Sequence, residues 1–189
     1  VKNTGKPVKV IRAFNGELYT RMDEYLPEKG EFIECNTEKD ILKIIVKDRY
    51  KDSNPSVGFI KGFGLKSGAF ATSVAHDSHN IIALGTNDDD IAEAIDTVIA
   101  SKGGMCVANG KDKKSLPLPV AGIMSENQVS EVARLYTELS DAVKQMGCTM
   151  DAPFMSLSFM ALLVIPELKL SDKGLFDGNK FCLTSLYND

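Results

Sequence analysis

Two largely apolar, β-prone runs separated by a short polar segment limit the folds open to this chain. The runs are residues 68–75 and 81–85. The segment between them holds both histidines of the 189-residue chain and consists of His76, Asp77, Ser78, His79 and Asn80. Such a pattern is typical of an antiparallel β-hairpin. We therefore predict that these five residues, called the histidine segment below, expose their side chains at the tip of a hairpin.

The histidine segment has one structural and several chemical interpretations. Asp, Ser and Asn are common turn formers, because their side chains bond the local backbone, so the segment can be a simple turn. A metal site formed by His76, Asp77 and His79 is disfavoured, since neighbouring side chains on a strand diverge. A hydrolase triad built from Asp77, Ser78 and His79 is disfavoured because adjacent residues cannot align as orienting acid, nucleophile and base. The residues alone leave a turn and a functional cluster both open.

The length and composition of the chain indicate one globular domain. Its 189 residues can form a well-cored domain but fall short of the roughly 250 residues of a typical (β/α)8 barrel. Hydrophobic residues at 43% and charged residues at 25% are ordinary values for a compact protein. The net charge of −4, without a basic block, gives no electrostatic basis for binding nucleic acid.

The sequence also gives no sign of a membrane partner or of export. The longest apolar run, within residues 154–165, is shorter than the ~20 residues that span a bilayer. It is interrupted by Ser156 and Ser158, so we interpret it as a buried segment. Residues 1–7 lack the apolar core of a signal peptide, and no two of the four cysteines have Cys-x-x-Cys spacing. We expect a cytoplasmic protein with reduced thiols.

The remaining patterns predict an α+β arrangement within the α/β class. β-branched runs at 8–11 and 41–46 predict strands, and the apolar residues 105–108, between the first two predicted helices, predict another. One amphipathic helix is predicted to begin at Asn87, followed by three acidic residues, and to end at 103–104. A second is predicted from a capping box at 125–128 to Gly147, and a third, apolar, from 151–153 to Pro166. We therefore predict a mixed or antiparallel sheet covered by helices, in a single domain.

Five stretches of the chain, in order, resemble the C-terminal domain of bacterial adenine deaminase, which belongs to the amidohydrolase superfamily. They are residues 62–69, 73–80, 116–125, 153–159 and 164–170. The resemblance covers nearly all of residues 1–189, with 1–55 as a strand-rich lead-in and 56–189 as the better-matching core. The chain departs from the family pattern in two stretches: Asp48-Arg49-Tyr50 stands where the family tends to have Glu-Arg-His, and Leu163 stands in place of proline. The first departure removes an imidazole beside Arg49, and the second affects packing.

The resemblance implies a part in the hydrolysis of adenine to hypoxanthine and ammonia. In that family a dinuclear manganese or iron site in a (β/α)8 barrel binds the hydroxide that attacks the purine. The metal ligands of such a barrel are mostly histidines, and this chain has two. We therefore expect no catalytic residue, metal ligand or cofactor in this chain, and a catalytic barrel elsewhere in a larger, homo-oligomeric enzyme. Because the sequence begins with Val1, we expect either an excised or a separately encoded piece.

We hypothesise that the histidine segment and Arg49 form the rim of the barrel active site or an interdomain contact. The alternative is a stand-alone purine-binding or regulatory module without catalysis, which the self-contained core and capped helices would also permit. A neighbouring or fused barrel favours the first hypothesis, and purine binding by the isolated chain favours the second.

Overall fold

An eight-stranded sheet forms the centre of the fold in a computed structural model that describes residues 1–187. The strand order is β2-β1-β4-β3-β6-β5-β7-β8, and every neighbouring pair is antiparallel except β1 and β4. The prediction of a mixed sheet is confirmed. The strands are β1 (Val8–Arg12), β2 (Arg21–Tyr25), β3 (Leu42–Lys47), β4 (Ser56–Lys61), β5 (Ala69–Thr72), β6 (Ile81–Gly85), β7 (Gly104–Asn109) and β8 (Asp112–Pro117).

The predicted hairpin is present as strands β5 and β6, which pair from Ala69 opposite Gly85 to Thr72 opposite Ile82. Every residue of both strands is buried. Ala69 and Ala71 belong to one hydrophobic cluster, whereas Phe70 belongs to another. Since successive side chains point to opposite faces of a sheet, both faces of this hairpin are covered. This explains why the two runs are continuously apolar instead of alternating.

Helix α1 (Asp88–Ala100) covers one face of the sheet, as predicted. The Asn87 side chain accepts a hydrogen bond from the backbone N–H of Asp90, and three acidic residues occupy the first turn. The Asn87 side chain satisfies a free backbone N–H at the start of the helix, and the acidic side chains complement the positive end of the helix dipole. The helix packs on the small side chains of Ala69, Ala71 and Ala83, which allow a close approach.

The opposite face carries two helices and a small second sheet. Helix α2 (Val129–Gln145) contacts β7 and β8, and the short α3 (Pro153–Ser158) contacts α2, β5 and β6. A 3-10 turn (Phe159–Ala161) leads to an antiparallel three-stranded sheet of β9 (Leu168–Ser171), β10 (Gly174–Asp177) and β11 (Cys182–Leu183). Side chains from all these layers except β11 meet in the largest hydrophobic cluster. No helix among residues 1–187 has the length and apolarity needed to cross a bilayer.

Two helix boundaries predicted from the sequence are wrong. Helix α2 begins after Gln128, which makes no side-chain cap, while the Ser125 hydroxyl accepts a hydrogen bond from the Asn127 N–H in the preceding turn. The third helix ends near Ala161, well before Pro166. The backbone around Pro166 is instead hydrogen-bonded to Thr20, whose N–H donates to the Pro166 carbonyl. This pairing holds the segment out of the helix.

Lys169 in β9 is a fully buried cation. Its Nζ donates to the backbone carbonyls of Leu18 at 2.7 Å and Phe159 at 3.1 Å. Neither partner is charged, and desolvation lowers the pKa of the amine from 10.5 to about 8. Lys169 therefore ties two loops to the small sheet at an electrostatic cost when it is protonated.

We expect the free energy of unfolding to rise with pH between about 8 and 10.5 because of Lys169. In that interval the unfolded chain binds a proton that the folded protein has released, so stability increases with pH. The full effect is about 3 kcal/mol, since each pKa unit corresponds to about 1.4 kcal/mol. The measurement is urea unfolding of the wild type and of Lys169→Met at pH 7.5 and 10.5.

The comparison with Lys169→Met is needed because Cys106 acts in the opposite direction. Burial raises the pKa of its thiol from 9.0 to about 11, so Cys106 lowers stability as the pH rises through that range. The methionine variant retains the Cys106 contribution and loses that of Lys169. If the free energy of unfolding depended on pH equally in the wild type and in Lys169→Met, the pH dependence could not be assigned to Lys169.

Candidate functional site

The histidine segment lies in an eight-residue connection, 73–80, between β5 and β6. Asp77 and Ser78 are exposed, as predicted for a hairpin tip. His76 and His79 are half-buried, and Asn80 is buried, so the prediction that all five side chains are exposed is wrong for these three. The physical reason is that the connection folds back on the protein, where the His76 N–H donates to the Ser158 carbonyl at the end of α3.

The two histidine rings are fixed by aromatic contacts. The His76 ring stacks on Phe159 with 4.9 Å between centroids, and the His79 ring meets His76 edge-on at 5.9 Å. His79 has a left-handed backbone (φ 52°), and its N–H donates to the Ala75 carbonyl at 2.7 Å. Its Nδ1 is buried and has no hydrogen-bond partner within residues 1–187. A buried polar atom without a partner is uncommon in native structures and calls for an explanation.

Arg49 is brought next to the histidine segment through its backbone. The Arg49 N–H donates to Oδ1 of Asn80 at 3.2 Å. The guanidinium extends elsewhere: Nη1 donates to the Ala121 carbonyl at 2.7 Å and Nη2 to the Tyr50 hydroxyl at 2.6 Å. The structure therefore brings the Arg49 backbone next to Asn80, while the Arg49 guanidinium is bound by Ala121 and Tyr50 and not by the histidine segment.

Sequence reasoning missed an apolar cleft beside Asp77 and Ser78. The cleft has a volume of about 370 Å³, and its walls include Leu163, Val164 and Phe181. Val164 is 64% exposed and Phe181 is 68% exposed. Exposed apolar patches of this kind often mark contact surfaces. Val164 gives little sequence signal, because it lies in an apolar run (residues 161–165) that the sequence predicts to be buried as a whole.

The described residues do not provide a ligand set for a metal. Within 1–187, no group of three His, Cys, Asp or Glu side chains is close enough to share an ion. The two histidines are near each other, but the adjacent carboxylate of Asp77 does not complete such a group. No metal ligand is therefore assigned to this chain.

The sheet, helices and histidine segment define an α+β domain in which residues 1–187 form no closed barrel. A family model described as the adenine deaminase C-terminal domain matches residues 18–182. The chain belongs to this family, and the resemblance stated from the five sequence stretches is confirmed.

Curated relatives named adenine deaminase match almost the whole chain. The protein of Methanosarcina mazei is 47% identical over 186 residues, which are 97% of this chain and 33% of that protein. The protein of Parabacteroides distasonis is 46% identical over 188 residues, or 99% of this chain and 34% of that protein. The protein of a Sulfurovum species is 49% identical over 173 residues, which are 90% of this chain and 32% of that protein. The chain therefore spans about a third of the length of these relatives.

Proposed function

We propose that this chain serves as the C-terminal domain of an enzyme that hydrolyses adenine to hypoxanthine and ammonia in cytoplasmic purine metabolism. The family match over residues 18–182 and the relatives named adenine deaminase support this proposal. Manganese or iron is proposed for the catalytic barrel of the parent enzyme. The residues described above offer no ligand set for it, so no chemical step is assigned to this chain.

We propose further that the histidine segment docks on the catalytic barrel and helps to close the adenine pocket. The unpartnered Nδ1 of His79 carries this proposal. Leaving a buried polar atom unsatisfied costs about 1–3 kcal/mol. Docking would recover that cost by turning the half-buried His79 ring so that Nδ1 meets a donor or acceptor of the barrel. The exposed Asp77 and Ser78 and the apolar cleft beside them provide the surrounding contact surface. The barrel belongs to the same subunit or to a neighbouring one in a homo-oligomer.

Replacing His79 in the complete enzyme is expected to lower kcat/KM for adenine at least tenfold, which corresponds to about 1.4 kcal/mol of transition-state stabilisation. We choose His79→Asn beside His79→Ala, because asparagine tolerates the left-handed backbone of this position. A loss in both variants assigns the effect to the imidazole. The measurement is steady-state loss of adenine absorbance.

The matched control is Asn127→Ala, in an exposed turn before α2, which should stay within about twofold of wild type. The isolated chain, supplied with manganese or ferrous ion, should give no turnover. If the complete enzyme fails to deaminate adenine, the proposed reaction is wrong. If it does so and both His79 variants equal the wild type, only the docking role is wrong.

A further inference from the structure

A second cavity, separate from the apolar cleft, lies on the other side of the sheet beside the end of α1. Its volume is about 430 Å³, within the range of about 300–1,000 Å³ typical of small-molecule sites. Apolar side chains of β6, α1 and the loop after β8 form one part of the wall: Ile81, Val98, Ile99 and Pro119. Arg49, Tyr50 and Lys102 also line it. The cavity thus combines an apolar wall with two cationic side chains.

Arg49 forms no salt bridge among residues 1–187. Its two hydrogen-bond acceptors, the Ala121 carbonyl and the Tyr50 hydroxyl, are both uncharged. Its Nε is buried and has no partner in the described part of the chain. No carboxylate of residues 1–187 forms a salt bridge with Arg49 or with Lys102. Two unpaired cations at one cavity favour an anionic ligand.

The Arg49 side chain is held in place before any ligand arrives. Its guanidinium carbon lies 4.8 Å from the centre of the Tyr50 ring, which is a cation–π contact. The position also depends on Gly122, since a Cβ at that residue would lie 1.3 Å from Arg49 Nη1. A rigid guanidinium loses less conformational entropy on binding than a free one.

The backbone around the cavity is also fixed. The Ser73 hydroxyl donates to the Gly122 carbonyl and accepts from the Gly104 N–H, so it joins the turn after α1 to the loop after β8. Lys102 lies in the turn between α1 and β7, and it has a left-handed backbone (φ 59°) and an exposed side chain. These bonds hold Arg49 and Lys102 on the same cavity while leaving the Lys102 ammonium free to reach a ligand.

We propose that this cavity binds a nucleoside monophosphate or a closely similar ring-bearing phosphate. The phosphate would contact Arg49 and Lys102, and the ring would lie on the apolar wall and the exposed Tyr50. Inorganic phosphate would leave the apolar wall unused, and a neutral nucleoside would leave both cations unpaired. The proposal does not depend on deaminase activity, so it can be tested in the chain described here.

The test is titration of the chain with adenosine 5′-monophosphate, adenosine and inorganic phosphate, followed by calorimetry and by 1H–15N NMR. We expect the monophosphate to bind at least tenfold more tightly than either other probe, with the largest shifts at the amides of Gly103 and Gly122. Arg49→Gln should weaken binding at least tenfold and Lys102→Gln at least threefold. Arg134→Gln removes one positive charge from the exposed face of α2, remote from the cavity, and should leave binding within twofold.

Each other result overturns the proposal. Adenosine binding as tightly as the monophosphate would show that the cations are not used, and phosphate binding as tightly would show that the apolar wall is not used. Equal weakening by Arg134→Gln would indicate non-specific attraction. The exposed Lys102→Gln variant keeps the test valid if Arg49→Gln does not fold, because the Lys102 side chain forms no salt bridge within the described residues.

Discussion

Replacing Phe70 with alanine is expected to lower the free energy of unfolding by about 4 kcal/mol, within the range of about 3–5 kcal/mol for a buried aromatic side chain. Phe70 is fully buried in the centre of β5. Its ring lies 5.3 Å from that of Phe154 in an edge-on arrangement and 6.2 Å from that of Phe63. The substitution removes both contacts and leaves a cavity between the sheet and α3. Urea unfolding monitored by circular dichroism measures the loss.

The control for this prediction is Phe32→Ala. Phe32 is 53% exposed, so the same chemical change removes little buried surface, and the expected loss is below about 1 kcal/mol. Losses of similar size at Phe70 and Phe32 would mean that the aromatic group around Phe70 does not organise the core. Phe70 in the sheet packs on Phe154 of α3, and the last residue of α3, Ser158, accepts the hydrogen bond from the His76 N–H. Phe70 therefore supports the layer on which the histidine segment rests.

The sequence was most informative where local chemistry determines the structure. The two apolar runs predicted the β5–β6 hairpin, and Asn87 with its following acidic residues predicted the start of α1. It was least informative for β2 and β8, which lie at the two edges of the large sheet. Their residues are mostly polar or charged, since an edge strand exposes much of its surface to solvent. Because of this polar composition, the sequence analysis did not predict β2 and β8.

The candidate site was only partly predictable for a different reason. The histidine segment is continuous in sequence, so its cluster of polar groups could be identified directly. The second cavity is assembled from Arg49, Lys102 and Gly122, which are far apart in the chain. The paired glycines at 103–104 indicated a helix end, but the packing of Gly103 against Gly122 depends on the tertiary fold. The capping box predicted at 125–128 is wrong for a local reason, because the Ser125 hydroxyl accepts a hydrogen bond from the Asn127 N–H in the turn before α2.

Replacing Gly103 with alanine is expected to destabilise the chain by about 4 kcal/mol, through backbone strain and overpacking together. Gly103 has φ +120°, a conformation that alanine rarely adopts. Its added Cβ would lie 2.3 Å from the Gly122 Cα and 2.6 Å from the Gly122 oxygen, and neither backbone atom can rotate away. The turn cannot shift freely either, since the Gly103 N–H donates to Val98 and its carbonyl accepts from Leu118.

Gly110→Ala is the control for this loss. Gly110 also has a left-handed backbone, at φ +60°, but a Cβ there would meet no atom within 4 Å. It should therefore cost only the backbone strain, about 1–2 kcal/mol. Unfolding measurements on both variants give, by difference, the combined cost of the contact with Gly122 and of the less accessible φ +120° at Gly103, and equal losses would contradict close packing of Gly103 on Gly122. Because that packing also positions Arg49, Gly103→Ala should abolish monophosphate binding under conditions where the variant remains folded, whereas Gly110→Ala should preserve it.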